Sequence, residues 1–297
     1  MNALEWRVAF SLSAVYAVRM LGLFMILPVF ALYAHTLPGS TDLLAGIAIG
    51  IYGLTQAIFQ IPLGIASDRM GRKPVLIGGL LVFALGSIIA ALSHSIELII
   101  VGRTLQGMGA VAAATMALAA DLTREENRSR VMAFIGMTIG LSFMAAIILG
   151  PILYTHAGMS GIFWFTCGLA ISGILLILFA VPTPLHIRAH RDAGIVSDYL
   201  LKALKNTALL RMNAGVFALH LVMTANFLVI PTLFRDELSL ATLDHWKVYL
   251  PVFLVAFMGS IPLIIVAEKR HKIKPMLLGA IALLVVAEIL LALGYGT

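Results

Sequence analysis

Nine runs of about 20 predominantly apolar residues follow one another along the 297-residue chain, each long enough to cross a bilayer. Their approximate limits are Val8–Ala34, Leu43–Ala66, Pro74–Leu92, Leu98–Ala120, Val131–Tyr154, Ile162–Val181, Met212–Leu233, Val248–Ala267 and Met276–Gly294. Lipid offers the backbone no hydrogen bonds, so runs of this length and spacing predict transmembrane helices. Composition agrees: 61% of the residues are hydrophobic and 11% are charged, against about 25% charged in soluble domains. The first run exceeds the 7–15-residue core of a signal peptide and carries Arg19, so it is read as a retained helix. The expected fold is an all-α membrane protein.

Charge sets the expected orientation. With the N-terminus in the cytoplasm, 16 of the 20 Lys and Arg fall on the cytoplasmic side. Two, Arg235 and Lys247, fall outside, and two, Arg19 and Arg103, lie within spans. That bias is the positive-inside signal of a multi-pass inner-membrane protein. It accounts for the net charge of +6, so no nucleic-acid partner is needed. The single cysteine, Cys167, excludes a disulfide framework and a cysteine-built metal site. No metal or cofactor is expected. Nor is enzymatic activity: Gly158, Ser160 and Gly161 have the spacing of an intramembrane serine protease, but Ser160 falls in a predicted outer loop. A turn is the better reading of that segment.

The segment Pro182–Leu210 is long, polar and mixed in charge, whereas the other connections are short. The predicted layout is a six-helix bundle over 1–182, a cytoplasmic linker over 183–210, and three further helices over 211–297.

The connection between the second and third runs carries Gly64, Asp68, Arg69, Gly71, Arg72, Lys73 and Pro74. Asp68 ends a helix, where the dipole disfavours a carboxylate, so it needs a cation or another helix N-terminus. Gly64 leaves room for a neighbour on the same face, Gly71 permits a tight turn, and Pro74 suits a helix start. The pattern G-x-x-x-D-R-x-G-R-K resembles the loop signature of the major facilitator superfamily. A second resemblance runs from Gly102 and Arg103 through Gln106, Gly107 and Gly109 to Ala110, similar to that family's arginine segment associated with proton coupling. A third covers Asp121, Arg124 and Arg128, which the resemblance pairs with the first loop as a conformational switch. Wording around Arg19–Gly22, Ile49–Gln56 and His245–Leu250 resembles most the YajR-like, proton-driven efflux branch.

The resemblance implies a twelve-helix transporter of two halves, of which nine helices are predicted here. A second half matching Val8–Val181 would run to about position 384, so the missing C-terminal helices would be the natural packing partner of the last three. On that expectation the 297-residue chain does not transport alone. Glu268–Pro275 is a degraded copy of the first loop without its turn glycine, which supports a repeat. In the fifth run Gly150-Pro151 is followed by Ile152 and Leu153, which is half of a drug–proton antiporter signature. Gly136, Gly140, Ala146 and Gly150 make a small-residue face best read as close helix packing.

Polar groups within spans are candidates for the proton or substrate pathway: Arg19, Gln56, Arg103, Gln106, His220, Asn226 and Glu288. For His220 and Asn226 an interhelical hydrogen bond is the plainer reading. The expected function is proton-coupled export of small molecules by alternating access, with substrate, protons and the lipid bilayer as partners. The alternatives are an uptake symporter for a sugar, peptide or organic anion, and a non-transporting membrane protein.

Overall fold

The computed structural model describes residues 1–109, 111–183, 202 and 205–294. Most of the predicted linker, including Arg188 and Arg191, and Ala110 of the second signature lie outside the described residues. The described elements are helices: α1 (Ala3–Phe24), α2 (Leu27–Ala34), α3 (Asp42–Met70), α4 (Arg72–Ala91), α5 (Ile96–Met108), α6 (Ala112–Leu122), α7 (Glu125–Leu175) with a π-helical turn at Leu176–Ala180, α8 (Thr207–Asp236), α9 (His245–Lys269) and α10 (Ile273–Gly294).

Two predicted spans are interrupted, and two others are joined. The first divides into α1 and α2 just before Pro28, which has no N–H for the ladder. The fourth divides into α5 and α6 at Gly109. The fifth and sixth run together: Glu125–Ala180 is 56 residues of continuous helix assignment, interrupted only by non-helical angles at Gly158 (φ 66°, ψ −172°). A straight helix of that length would measure about 84 Å, far beyond a bilayer. It folds back, because both of its ends meet the start of α1: Asn127 bonds Glu5, and Arg7 bonds the Ala180 carbonyl. The expected loop between these spans is a single glycine at positive φ. Eight described segments are long and apolar enough to cross a membrane; counting the folded one as two gives nine.

By packing, the chain forms two compact units, Met1–Trp246 and Lys247–Thr297. In the first, α1 lies along α7, α4 lies against both α5 and α7, α3 packs on α5, and α8 runs beside α2. One core cluster joins Leu12 and Val15 of α1, Leu76 and Leu80 of α4, Leu118 of α6 and Ile135 of α7. In the second unit, the apolar windows of the last two spans bury none of their residues.

Glycines bring the helix axes together. Gly79 meets Gly109, and Gly86 meets Gly102: a Cβ on Gly86 would sit 2.5 Å from the Gly102 oxygen, and one on Gly102 would sit 2.7 Å from the Gly86 oxygen. Both pairs are spaced seven residues apart on antiparallel helices, so the small residues recur on one face. A Cβ on Gly107 would collide with Thr55 Oγ1 and the Tyr52 carbonyl, so α5 is equally close to α3. Gly150 abuts the Met25 carbonyl at the α1–α2 break, with 2.5 Å to an added Cβ. Gly136 and Gly140, expected on the same packing face, have no neighbour within 4 Å of an added Cβ. Gly64 meets Ala113 at an ordinary 3.7 Å.

These contacts predict opposite outcomes for two like substitutions. Gly107→Ala should destabilise by about 1–3 kcal/mol or more through overpacking. Gly136→Ala should stabilise by up to about 1 kcal/mol through helix propensity. Unfolding of the purified protein from mild detergent into SDS, followed by helix content, measures both.

Candidate functional site

Charged residues gather at one end of the first unit. Asp68 lies in the last turn of α3, and Gly71 at φ 95° turns the chain directly into α4. Arg72, one turn beyond Asp68 in sequence, pairs with its carboxylate. The same guanidinium reaches Asp121 Oδ2 near the end of α6 at 3.0 Å and donates to Ser67 Oγ at 2.7 Å. Arg72 is 12% exposed, against 42% and 32% for the two carboxylates it joins. The cation that Asp68 needs at its helix end is therefore Arg72. Lys73 donates to the Val181 carbonyl at 2.7 Å, and Arg7 to those of Ala180 and Phe179 at 2.9 and 3.3 Å. Two cations thus cap carbonyls that the end of the sixth span leaves without helical partners. Arg69 is exposed and makes no ion pair among the described residues.

Arg124 and Arg128, expected to join Asp68 and its neighbours, do not. Arg128 donates to the Ala120 carbonyl at 3.2 Å. Arg124 grips Glu5 of α1, with Nε 2.9 Å from Oε1 and Nη2 3.2 Å from Oε2. Glu5 also accepts from the Asn2 and Arg124 backbone N–H groups and from Asn127 Nδ2 at 3.0 Å. Glu5 did not stand out in the sequence. Its one legible signal is the Asn2–Glu5 capping box, which marks a helix start.

A second cluster lies within the spans. Arg19 and Arg103 are each 1% exposed. Arg19 Nη2 donates to Tyr52 Oη and to Gln56 Oε1, both at 2.9 Å. Arg103 donates to the Ala48 carbonyl at 3.3 Å and to Gln106 Oε1 at 2.8 Å, and its guanidinium lies 4.7 Å from the Tyr52 ring centroid. Gln106 in turn donates to Ser87 Oγ on α4 at 2.8 Å. The structure therefore brings together Arg19, Gln56, Arg103 and Gln106, and adds Tyr52 as the residue shared by both cations. None of the bonding partners found for either arginine is a carboxylate.

His220 lies apart on an exposed face of α8, its ring bonded to the Val216 carbonyl at 2.9 Å. Asn226 is half-buried on α8, and Glu288 is half-buried on α10 in the second unit. Ser160 donates to the Ala91 carbonyl at 2.6 Å, while His156 bonds its own helix at the Ile152 carbonyl.

The family described as Major Facilitator Superfamily matches this chain over residues 12–297. The chain belongs to the major facilitator superfamily. Among its curated relatives in this superfamily, the inner membrane transport protein YajR of Escherichia coli K12 is 48% identical over 287 residues, which is 97% of this chain and 63% of YajR. An uncharacterized transporter of Buchnera aphidicola from Schizaphis graminum is 39% identical over 86% of this chain and 66% of its own. The chain thus spans about two thirds or less of the length of these relatives.

Among solved major facilitator folds, a bacterial homologue of the human lysosomal transporter Spinster, inward-facing and occupied, superposes with a TM-score of 0.72 at 15% identity, over 91% of this chain and 62% of that one. The human organic anion transporter MFSD10 superposes with a TM-score of 0.61 at 22% identity, over 85% and 70%. These likenesses show the fold. Relatives in the superfamily are transporters and not enzymes, and this chain is a multi-pass inner-membrane protein.

The Glu5 cluster ties the start of α1 to the start of α7. Glu5→Ala should lower the thermal midpoint and speed tryptic cleavage at Arg7, since one carboxylate satisfies donors from three positions. Arg69→Ala, at an exposed position, should leave both unchanged. Differential scanning fluorimetry and timed proteolysis report the comparison.

Proposed function

We propose that this chain forms part of a proton-coupled exporter of small molecules that works by alternating access, with its N-terminus in the cytoplasm. The observation that carries the reading is the sharing of Arg72 between Asp68 and Asp121. One half-buried cation there joins the turn between two helices to the end of a third, at the basic end of the bundle. Such a latch can form in one conformation and open in another, because water can replace its bonds at a helix end. Asp68, Arg72 and Asp121 act as the conformational switch, and Lys73 holds the sixth span beside it. The expected partner bundle is supplied by a second half of the kind the longer relatives carry.

Proton coupling rests on ionisable groups held at membrane depth. Arg103 is buried beside Tyr52 and Gln106, and Glu288 is the acidic residue within the predicted spans. Energy is sufficient. About 2.3 kcal/mol per charge per 100 mV, with about 1.4 kcal/mol for one pH unit, sustains a gradient of several hundredfold at one proton per substrate, by roughly 1.4 kcal/mol per tenfold.

The test uses everted membrane vesicles carrying residues 1–297 continued by the corresponding remainder of YajR. Respiration acidifies their interior, and acridine orange reports the gradient. An exported compound should partly collapse that gradient when added. If no compound in a panel of amphiphilic drugs and organic anions does so, or if protons move the other way, the exporter reading falls. In the same vesicles Asp68→Asn should abolish the response while the protein still inserts. Arg103→Ala should flatten its dependence on pH more than it raises the half-saturating concentration. A normal pH profile in the alanine variant assigns Arg103 a structural role.

A further inference from the structure

The interior of the first unit is electrostatically one-sided. Among the described residues of Met1–Trp246, every acidic side chain within a helix lies in its first or last turn. Arg19 near the middle of the first span and Arg103 within the outer half of the fourth are both 1% exposed. Two guanidinium groups therefore share a low-dielectric region in which this unit provides no negative charge, and the ring and hydroxyl of Tyr52 touch both. Charges buried in this way are ordinarily paired.

The two arginines differ in how they are held. Two nitrogens of Arg103 bond the Ala48 carbonyl and Gln106 Oε1, and Gln106 is anchored in turn on Ser87. Arg19 is bonded through Nη2 alone. Its Nε and Nη1 are buried without any hydrogen-bond partner. Those two atoms carry three of the five N–H donors of a guanidinium. One turn beyond Gln56 on α3, Gln60 Oε1 is also buried and unpartnered. Tyr16, one turn before Arg19 on α1, is 7% exposed. A polar strip from two helices thus carries unfilled hydrogen bonds around a positive charge, where lipid cannot supply them.

We infer that Arg19 is the binding point for the anionic group of an organic anion, a carboxylate or sulfonate. Tyr52 and Gln56 hold the Nη2 side of the guanidinium, and Nε and Nη1 are left to donate to the ligand oxygens. Arg103 stays in its own cradle and adds a second positive charge across the Tyr52 ring. The group is not a lipid phosphate, because Arg19 lies near the middle of its span, away from both headgroup layers. The inference rests on the transport reading for its purpose, but binding is measured without transport.

The experiment uses the purified 297-residue chain in dodecylmaltoside micelles, with thermal midpoints followed by intrinsic fluorescence. Benzenesulfonate and benzoate should raise the midpoint in a saturable way, and the uncharged benzamide should not. Arg19→Gln removes an unbalanced buried charge, so it should raise the ligand-free midpoint while weakening the response to both anions at least tenfold. Arg19→Lys should keep a reduced response, and Arg130→Gln, at an exposed position, should respond like the wild type. Added phosphatidylglycerol should stabilise wild type and Arg19→Gln alike. The inference is overturned if neither anion shifts the wild type, if Arg19→Gln responds undiminished, or if only the phosphatidylglycerol effect depends on Arg19. Intact anion binding with no proton movement in vesicles would remove the exporter reading and leave this site. Proton-linked export unaffected by Arg19→Gln would remove the site and leave the exporter.

Discussion

A polar group at membrane depth has no water to fall back on, and most of the interior of this protein is arranged around that fact. Hydroxyls within the spans bond backward to carbonyls of their own helix: Ser87 to Phe83 at 2.8 Å, Thr104 to Ile100 at 2.7 Å, Thr115 to Val111 and Thr166 to Ile162 at 2.8 Å. An arginine is too demanding for that solution. Arg103 is accommodated because the Gly86–Gly102 and Gly107 crossings draw three helices close enough for Ala48, Tyr52 and Gln106 to surround it. The glycines and the arginine of the second signature are thus parts of one device. Small residues permit the close approach, and the approach supplies the partners. Arg19 lacks that enclosure on two of its nitrogens, so the two buried arginines differ in how completely the surrounding helices satisfy them.

At the helix ends water returns, and the same residue types behave differently. Asp68 and Asp121 are joined to Arg72 within reach of solvent, the buried Glu5 is held by Arg124, and Arg7 and Lys73 close the carbonyl end of the sixth span. The carboxylates of Asp68 and Asp121 can part from Arg72 at low cost because hydration substitutes for those bonds. Mid-span pairs cannot. Enclosed polar contacts thus lie in the centre of this protein and water-exchangeable ones at the rim.

The second unit shows the loop signature in a weaker form. Where Gly71 adopts φ 95° between α3 and α4, His271 adopts φ 50° between α9 and α10. The Lys272 N–H closes on the Ala267 carbonyl at 2.9 Å, a Schellman-type bond at the end of α9. A non-glycine residue there costs about 1–2 kcal/mol of backbone strain. A positive φ thus recurs at this turn without the glycine that makes it cheap.

Much of this was legible in the sequence. Apolar runs matched to bilayer thickness marked the long helices, though not their breaks or the joining of the fifth and sixth, and the loop motif placed Asp68, Gly71 and Arg72 at a helix–turn–helix, because both signals are local. The buried arginines announced themselves by their cost in lipid. Other features came only with the tertiary structure. Glu5 reads as a helix cap until the chain, 119 residues on, brings Arg124 to it. Gly136 and Gly150 look equivalent on one helix, yet only Gly150 meets another backbone. Gly79 and Gly86 are unremarked until Gly109 and Gly102 lie opposite them. The physical reason is common to all three. In a membrane helix the faces toward lipid and toward protein are both apolar, so hydrophobic periodicity does not report which side is buried. The sequence by itself determined which segments are long and apolar enough to cross a bilayer and which residues are expensive there. Which faces meet, and therefore which glycine is a contact, which arginine is satisfied and which is left with open donors, was decided by packing alone.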